Sequence, residues 1–202
     1  MNDPRTFWDT AWNGRRGDAN VFAREVLQVT DHPKGKTLLD IGCGDGRDAL
    51  LFAEAGFHVT AIDYSSSGID RLKKANPSLT ALQQDIRSID FSTASFDVIY
   101  AHLSIHYFDD LTTRRIVNTI HRMLKPGGTF FVKCKSTKDP LYGKGVLVGG
   151  DTYDYGHVRH FFSEVYLRHL LRDFRIIVVR EYESAYDGKQ SSFIEAIAAR
   201  GK

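Results

Sequence analysis

Leu38–Asp63 reads LLDIGCGDGRDALLFAEAGFHVTAID, a hydrophobic strand, a glycine loop, a helix and a second strand that ends in an acid. Thr37 to Ile41 is a short apolar run carrying Asp40 near its end. Gly42, Gly44 and Gly46 follow, and a helical pattern of Ala49, Leu50, Phe52 and Ala53 then closes at Gly56, a natural residue just past a helix C-terminus. Phe57 to Ile62 is the next β-rich run, and Asp63 ends it. Strand, tight glycine turn, helix, strand and terminal acid make a βαβ nucleotide-binding unit. Strands and helices go on alternating downstream, which predicts a parallel sheet wound on both sides.

The glycine spacing separates two cofactor classes. A dinucleotide site uses G-x-G-x-x-G and a bare helix N-terminus, because a pyrophosphate sits there. Here the glycines run G-x-G-x-G, and Asp40 and Asp45 flank the loop. Carboxylates in those places repel a pyrophosphate and suit a cation. S-adenosylmethionine carries a sulfonium and an ammonium and no phosphate. The segment resembles motif I of the class I S-adenosylmethionine-dependent methyltransferases, and LKPGGTFFV at Leu124–Val132 resembles the turn and fifth strand of the same family. An ordinary βαβ turn whose glycines serve packing alone is the plainer alternative.

The resemblance covers roughly Thr37 to Arg200. It implies a Rossmann-like α/β fold, a doubly wound seven-stranded sheet, mostly parallel with an antiparallel C-terminal strand. An N-terminal helical segment and a lid loop complete it. The expected organisation is a single domain over residues 1–202, with residues 1–30 as a cap and 136–162 as the lid. Helices are expected at Phe7–Asn13, Ala19–Val29, behind a serine N-cap among Ser65–Ser67, at Leu111–Leu124, and at Glu164–Leu171 behind Ser163. The remaining strands are expected at Leu79–Gln83, Phe96–Ala101, Thr129–Lys135, Arg175–Tyr182 and Ser192–Ala199, the last two as an antiparallel hairpin. Pro126-Gly127 suits the two central positions of a type II turn, where glycine takes the positive φ.

Composition narrows the function classes. Net charge is +2 over 202 residues, with acids and bases interspersed and no basic stripe for a nucleic-acid track. No apolar run approaches the ~18 residues of a membrane span, and the start MNDPRTFWDT lacks a signal peptide's apolar centre. Cys43 and Cys134 do not form a disulfide framework. A soluble cytoplasmic protein, monomer or homodimer, is the expectation.

Asp63 stands about 20 residues beyond the loop, where an acid accepts both ribose hydroxyl protons; N-capping of the next helix is its structural alternative. With Asp40, Gly42, Cys43 and Gly44 it is expected to hold the cofactor. Tyr64 follows and is expected against the adenine, with surface packing as its alternative; the resemblance puts Asp85 on the adenine amino group and the Ile86 backbone N–H on a ring nitrogen. An Asx-type turn is the plain alternative for Asp85. It also puts the methionine moiety beside Ala101 and His102. His102 and His106, four apart, are expected on one helical face, with no third ligand in view for a metal. The W-x-x-x-W of Trp8 and Trp12, with Arg15 and Arg16 close behind, resembles the thiopurine and tellurite-resistance methyltransferases. In those the N-terminal segment folds over the cofactor, which implies Trp12 in the site and Arg16 as a fork for the methionine carboxylate.

The reaction implied is in-line methyl transfer from S-adenosylmethionine to a small-molecule acceptor, leaving S-adenosylhomocysteine, with no nucleic acid or membrane partner. A hydroxyl or amine acceptor needs a base, for which His102, His106 and His157 are the candidates. The alternatives are a non-catalytic module binding S-adenosylmethionine or S-adenosylhomocysteine, and a methyltransferase acting on protein or RNA.

Overall fold

A computed structural model describes residues 4–12, 17–186 and 188–202. Five strands run parallel: β1 (Thr37–Ile41), β2 (His58–Asp63), β3 (Thr80–Gln83), β4 (Phe96–His102) and β5 (Leu124–Lys135). Residues 136–162 carry a separate three-stranded antiparallel meander, β6 (Val146–Gly149), β7 (Thr152–Asp154) and β8 (Val158–His160). The chain then closes the main sheet with β9 (Arg175–Tyr186) and β10 (Lys189–Ala199). Spatial order is β3-β2-β1-β4-β5-β10-β9, with β10 antiparallel to both neighbours. That is the seven-stranded, mostly parallel sheet expected.

Side-chain alternation on β1 shows why helices cover both faces. Leu38 joins a core with Phe22 and Val26 of α2 (Val21–Val29), Phe52 of α3 (Arg47–Glu54) and Leu72 of α4 (Ser66–Ala75). Leu39 and Ile41 point the other way, into a core with Ile116 and Ile120 of α5 (Asp110–Met123) and Leu167 of α6 (Glu164–Leu170). Strand residues at i and i+2 share a face, so an unbroken apolar strand requires partners on both sides. The order reverses between β1 and β4, and the crevice beyond their C-terminal ends is where such sheets take ligands. Ahead of α2, the short α1 (Pro4–Ala11) lies over that end.

Several boundaries differ from expectation for identifiable reasons. Helix α1 stops at Ala11, leaving Trp12 in a turn. Helix α2 starts at Val21, because Asn20 is extended and gives its backbone and side-chain N–H groups to Asp48. The Lys125–Gly128 turn is absorbed into β5; Gly127 has φ +78°, and Gly127 and Gly128 pair with Arg200 across the sheet's end. The final hairpin is longer than its apolar pattern, running on through Tyr186 and Lys189. No described helix is long and apolar enough to cross a membrane.

Candidate active site

The main cleft, about 1830 Å³, opens at the β1/β4 switch point and exceeds what one ligand usually fills. Its floor is the glycine loop. Gly42 and Cys43 donate their N–H groups to the Ile62 carbonyl at 2.8 and 3.0 Å, and Gly46 closes the turn on Cys43 at 2.9 Å. A Cβ on Gly42 would stand 2.4 Å from the Ser104 side chain, and one on Gly44 2.6 Å from the Trp12 ring. Both take positive φ as well, so neither position tolerates a larger residue.

Asp63 ties this floor together. Its Oδ2 accepts from the Gly44 N–H and its Oδ1 from the Ser65 N–H, both at 2.8 Å. Burial raises its pKa, partly offset by these N–H groups. Each oxygen retains a lone pair, so the carboxylate serves loop and ligand together. The helix-capping role instead falls to Ser65, whose side chain accepts from Gly68. Asp40, next to last in β1, is almost fully buried, and its Oδ2 has no partner. Burial first, then the charges of Asp48 and Asp63, push its carboxyl well above the usual range. Asp48, which sequence reasoning passed over, is buried in α3 and accepts from Tyr100 Oη at 2.9 Å and twice from Asn20. Asp45 lies 3.9 Å from Arg71. Burial of the Cys43 thiol, with Asp40 and Asp63 nearby, likewise pushes its pKa up. An unsatisfied buried carboxylate among other acids fits a cationic ligand such as the sulfonium and ammonium of S-adenosylmethionine.

Helix α1 rests directly on the loop. Asp9 accepts from Ser65 Oγ at 2.7 Å and the Ser67 N–H at 3.2 Å, and Arg71 donates to the Trp12 carbonyl at 2.7 Å. The Trp12 indole N–H is buried and unpartnered at the cleft wall. Arg15 and Arg16 lie outside the described residues. Tyr64 lines the opposite wall with Asp85 and Ile86. Asp85 makes the Asx turn: it accepts from the Arg87 N–H at 2.8 Å and is forked by the Arg87 guanidinium. Burial alone would raise its pKa, and these bonds outweigh it, holding the carboxyl below its ordinary value.

The histidines separate. His102 and His106 do not share a helical face: β4 runs through His102, Leu103 turns the chain at φ +53°, and His106 sits in a short 3₁₀ turn. His102 stacks parallel to Tyr100, with Nδ1 3.4 Å from Asn20 Nδ2. Ala101 is fully buried in the α5-side core, so its side chain does not reach the cleft. His106 is 1% exposed, and neither ring nitrogen has a partner. Burial, then Arg159, Lys135, His157 and His102, hold its pKa well below the ordinary value. His157 Nε2 stands 2.5 Å from an Arg159 guanidinium nitrogen; burial, then that cation, lowers its pKa to about 4.

His157 belongs to the lid, whose loop packs its ring against Phe7 at 4.9 Å and Tyr107 at 5.2 Å. Residues 136–162 thus carry the β6–β8 meander with its aromatic residues packed at the cleft. Tyr107, Arg159 and Tyr186 also line the cleft and were not singled out as site residues. Among the described residues no cluster of three or more His, Cys, Asp or Glu side chains is arranged to hold a metal.

A family profile described as "Methyltransferase domain" matches residues 38–128. The cypemycin N-terminal methyltransferase of a Streptomyces species is 35% identical over 143 residues, covering 66% of this chain and 58% of that protein. The chain spans about half the length of the curated relatives it matches. A SAM-dependent methyltransferase from Methanosarcina mazei superposes with a TM-score of 0.75 at 22% identity, covering 92% of this chain and 99% of that one. The 1,6-didemethyltoxoflavin-N1-methyltransferase of Burkholderia thailandensis, solved with its namesake substrate and S-adenosylhomocysteine, gives 0.70 at 19% identity, covering 90% and 79%. At these identities the structural likeness carries the fold.

Proposed function

The chain belongs, through residues 38–128, to the methyltransferase-domain family of the class I S-adenosylmethionine-dependent kind, and from that premise we propose that it methylates a small-molecule acceptor in the cytoplasm. One observation carries this reading: among the described residues the buried side-chain polar atoms lacking partners, His160 Nδ1 apart, all belong to cleft-lining residues, namely Trp12, Asp40, Ser104, His106 and Arg159. Buried polar groups are otherwise nearly always paired, so this concentration marks groups kept for ligands.

S-adenosylmethionine, when bound, supplies a methyl group on a sulfonium, and its transfer leaves a neutral thioether. Asp40 and the loop of Gly42, Cys43 and Gly44 would hold its cationic end, with Trp12 and His102 toward the methionine moiety; Arg16, outside the described residues, is the expected partner of the methionine carboxylate. Asp63 would accept from the ribose, and Tyr64, Asp85 and Ile86 would frame the adenine. The protein's remaining task is to set the acceptor ~3–3.5 Å from the methyl carbon, in line, with water excluded. For a hydroxyl or amine acceptor His106 would be the base, since its ring nitrogens are unpartnered while His157 meets Arg159 and His102 meets Asn20, and its lowered pKa keeps the imidazole neutral and able to accept.

Calorimetry with S-adenosylhomocysteine followed by a labelled-methyl assay tests this. Saturable binding and label in a low-molecular-weight product are expected over a panel of thiols, amines, hydroxyl compounds and metalloid oxyanions. Binding without transfer to any acceptor leaves the sensing module standing instead, and no binding ends the reading.

A further inference from the structure

We propose that Arg159 is the anchor for a negatively charged group on the acceptor, so that the substrate is a planar aromatic carboxylate; this rests on the methyltransferase reading above. Arg159 reaches into the cleft from β8 with no carboxylate partner among the described residues, and its Nε is buried without a hydrogen-bond acceptor. One terminal nitrogen meets His157, and the guanidinium lies 5.8 Å from the centre of the Tyr107 ring. A half-buried guanidinium with an unused donor on its fork is costly unless an anion completes it, and a carboxylate matches that fork.

The charge layout of the cleft supports the assignment. Asp40, Asp45, Asp48 and Asp63 crowd the β1 and β2 ends, with Arg47 and Arg71 beside them. At the lid and hairpin end the order is reversed: Lys135, Lys144, Arg159 and Lys189 line the wall, and Asp154 is the acid there. Lys135 is already held by Asp139 and Ser191 at 2.8 Å each, which leaves Arg159 as the inward anchor. One end thus suits a sulfonium and the other an anion, and the opposite charges draw the reactants together. Aromatic rings wall the space between. Trp8 meets Tyr107 edge-on at 4.7 Å, and His157 closes the corner against both. Flat rings and a guanidinium select a flat anion.

The test uses the full chain saturated with S-adenosylhomocysteine, titrated by calorimetry with 3-hydroxybenzoate, 4-aminobenzoate and their uncharged amides, and with phenyl phosphate. At least one acid should bind tenfold or more tightly than its amide, with phenyl phosphate weaker than that acid. Arg159→Gln should bring the acid down to the amide's affinity, leaving the amide and S-adenosylhomocysteine unaffected, and Arg159→Lys should recover part of the loss. Equal binding of acid and amide, or binding of none of the acids, overturns the proposal, as does an equal loss for both in Arg159→Gln. Loss of S-adenosylhomocysteine binding in the variant would mean a damaged fold, and Arg159→Lys then decides. Failure of the unaltered protein to bind S-adenosylhomocysteine removes the parent reading as well.

Discussion

Two aspartates at neighbouring strand ends do opposite things to the folded chain. Asp63 supports structure and ligand together, since its two oxygens hold the Gly44 and Ser65 N–H groups. Asp63→Ala should therefore lower stability by about 1–3 kcal/mol and also weaken S-adenosylhomocysteine by about 1.5–3 kcal/mol. Asp40 carries an unpartnered buried oxygen, and its carboxyl is pushed well up by burial and by Asp48 and Asp63. A carboxyl whose folded pKa exceeds its unfolded value takes up a proton on folding. Its contribution to stability is present below the unfolded value and is lost as pH rises through the folded one. Asp40→Asn should then raise the melting temperature of the ligand-free protein on the alkaline side of that window, where wild type loses stability. The same variant should bind S-adenosylmethionine more weakly. Wild-type affinity should climb with pH as Asp40 ionises to meet the cation, whereas the Asn variant should show a flat profile over that range. Parallel profiles in calorimetry would mean that Asp40 does not face the cofactor.

At the scale of elements, strands of the parallel sheet were the most legible, because an apolar run bounded by glycine or an acid leaves little alternative. The motif-I turn was legible for a steric reason: Gly42 and Gly44 stand where a side chain would collide with Ser104 and Trp12. The lid meander was not, since β6 is exposed along its whole length and carries no alternating pattern to read. Nor was the reach of the β9–β10 hairpin, whose polar extension from Glu183 to Ser191 is stabilised through Lys135, Asp139 and Ser191 rather than by apolar alternation. The histidine pair misled for a related reason, because a helical spacing says nothing where a strand ends and a turn begins. Helix α1 shows what local pattern hides: its Trp8–Trp12 spacing reads as a core face, yet Asp9 between them fastens it to α4 through Ser65 and Ser67. Asp9→Ala should loosen that attachment and weaken S-adenosylhomocysteine several-fold, with unfolding changed by about 1 kcal/mol for a partly solvated group. An unchanged dissociation constant would show that α1 covers the loop without contributing to the site.

For the molecule as a whole, the cleft is a meeting of distant segments. Helix α1, the glycine loop, the end of β4, the lid and the closing hairpin each supply part of its wall. No one of them holds the ligand alone, so binding should couple them. The Phe7, Trp8, Tyr107 and His157 rings form the junction where α1, the 3₁₀ turn after β4 and the lid touch. A ligand that binds only the folded state stabilises it by RT ln(1 + [L]/Kd), about 2.7 kcal/mol at a hundredfold excess over Kd. For a domain of this size that corresponds to a rise in Tm of about 5–10 °C. Local opening of residues 136–162 would be a separate process with its own free energy, read by proteolysis between Ser136 and Phe162 rather than by melting. If the ring junction links the lid to the cofactor floor, saturating S-adenosylhomocysteine should both raise Tm and slow nicking there several-fold. Replacing Tyr107 by Ala should keep most of the Tm rise and abolish the protection. A Tm rise with nicking unchanged in the unaltered protein would assign the lid to acceptor binding alone, uncoupled from the cofactor end of the cleft.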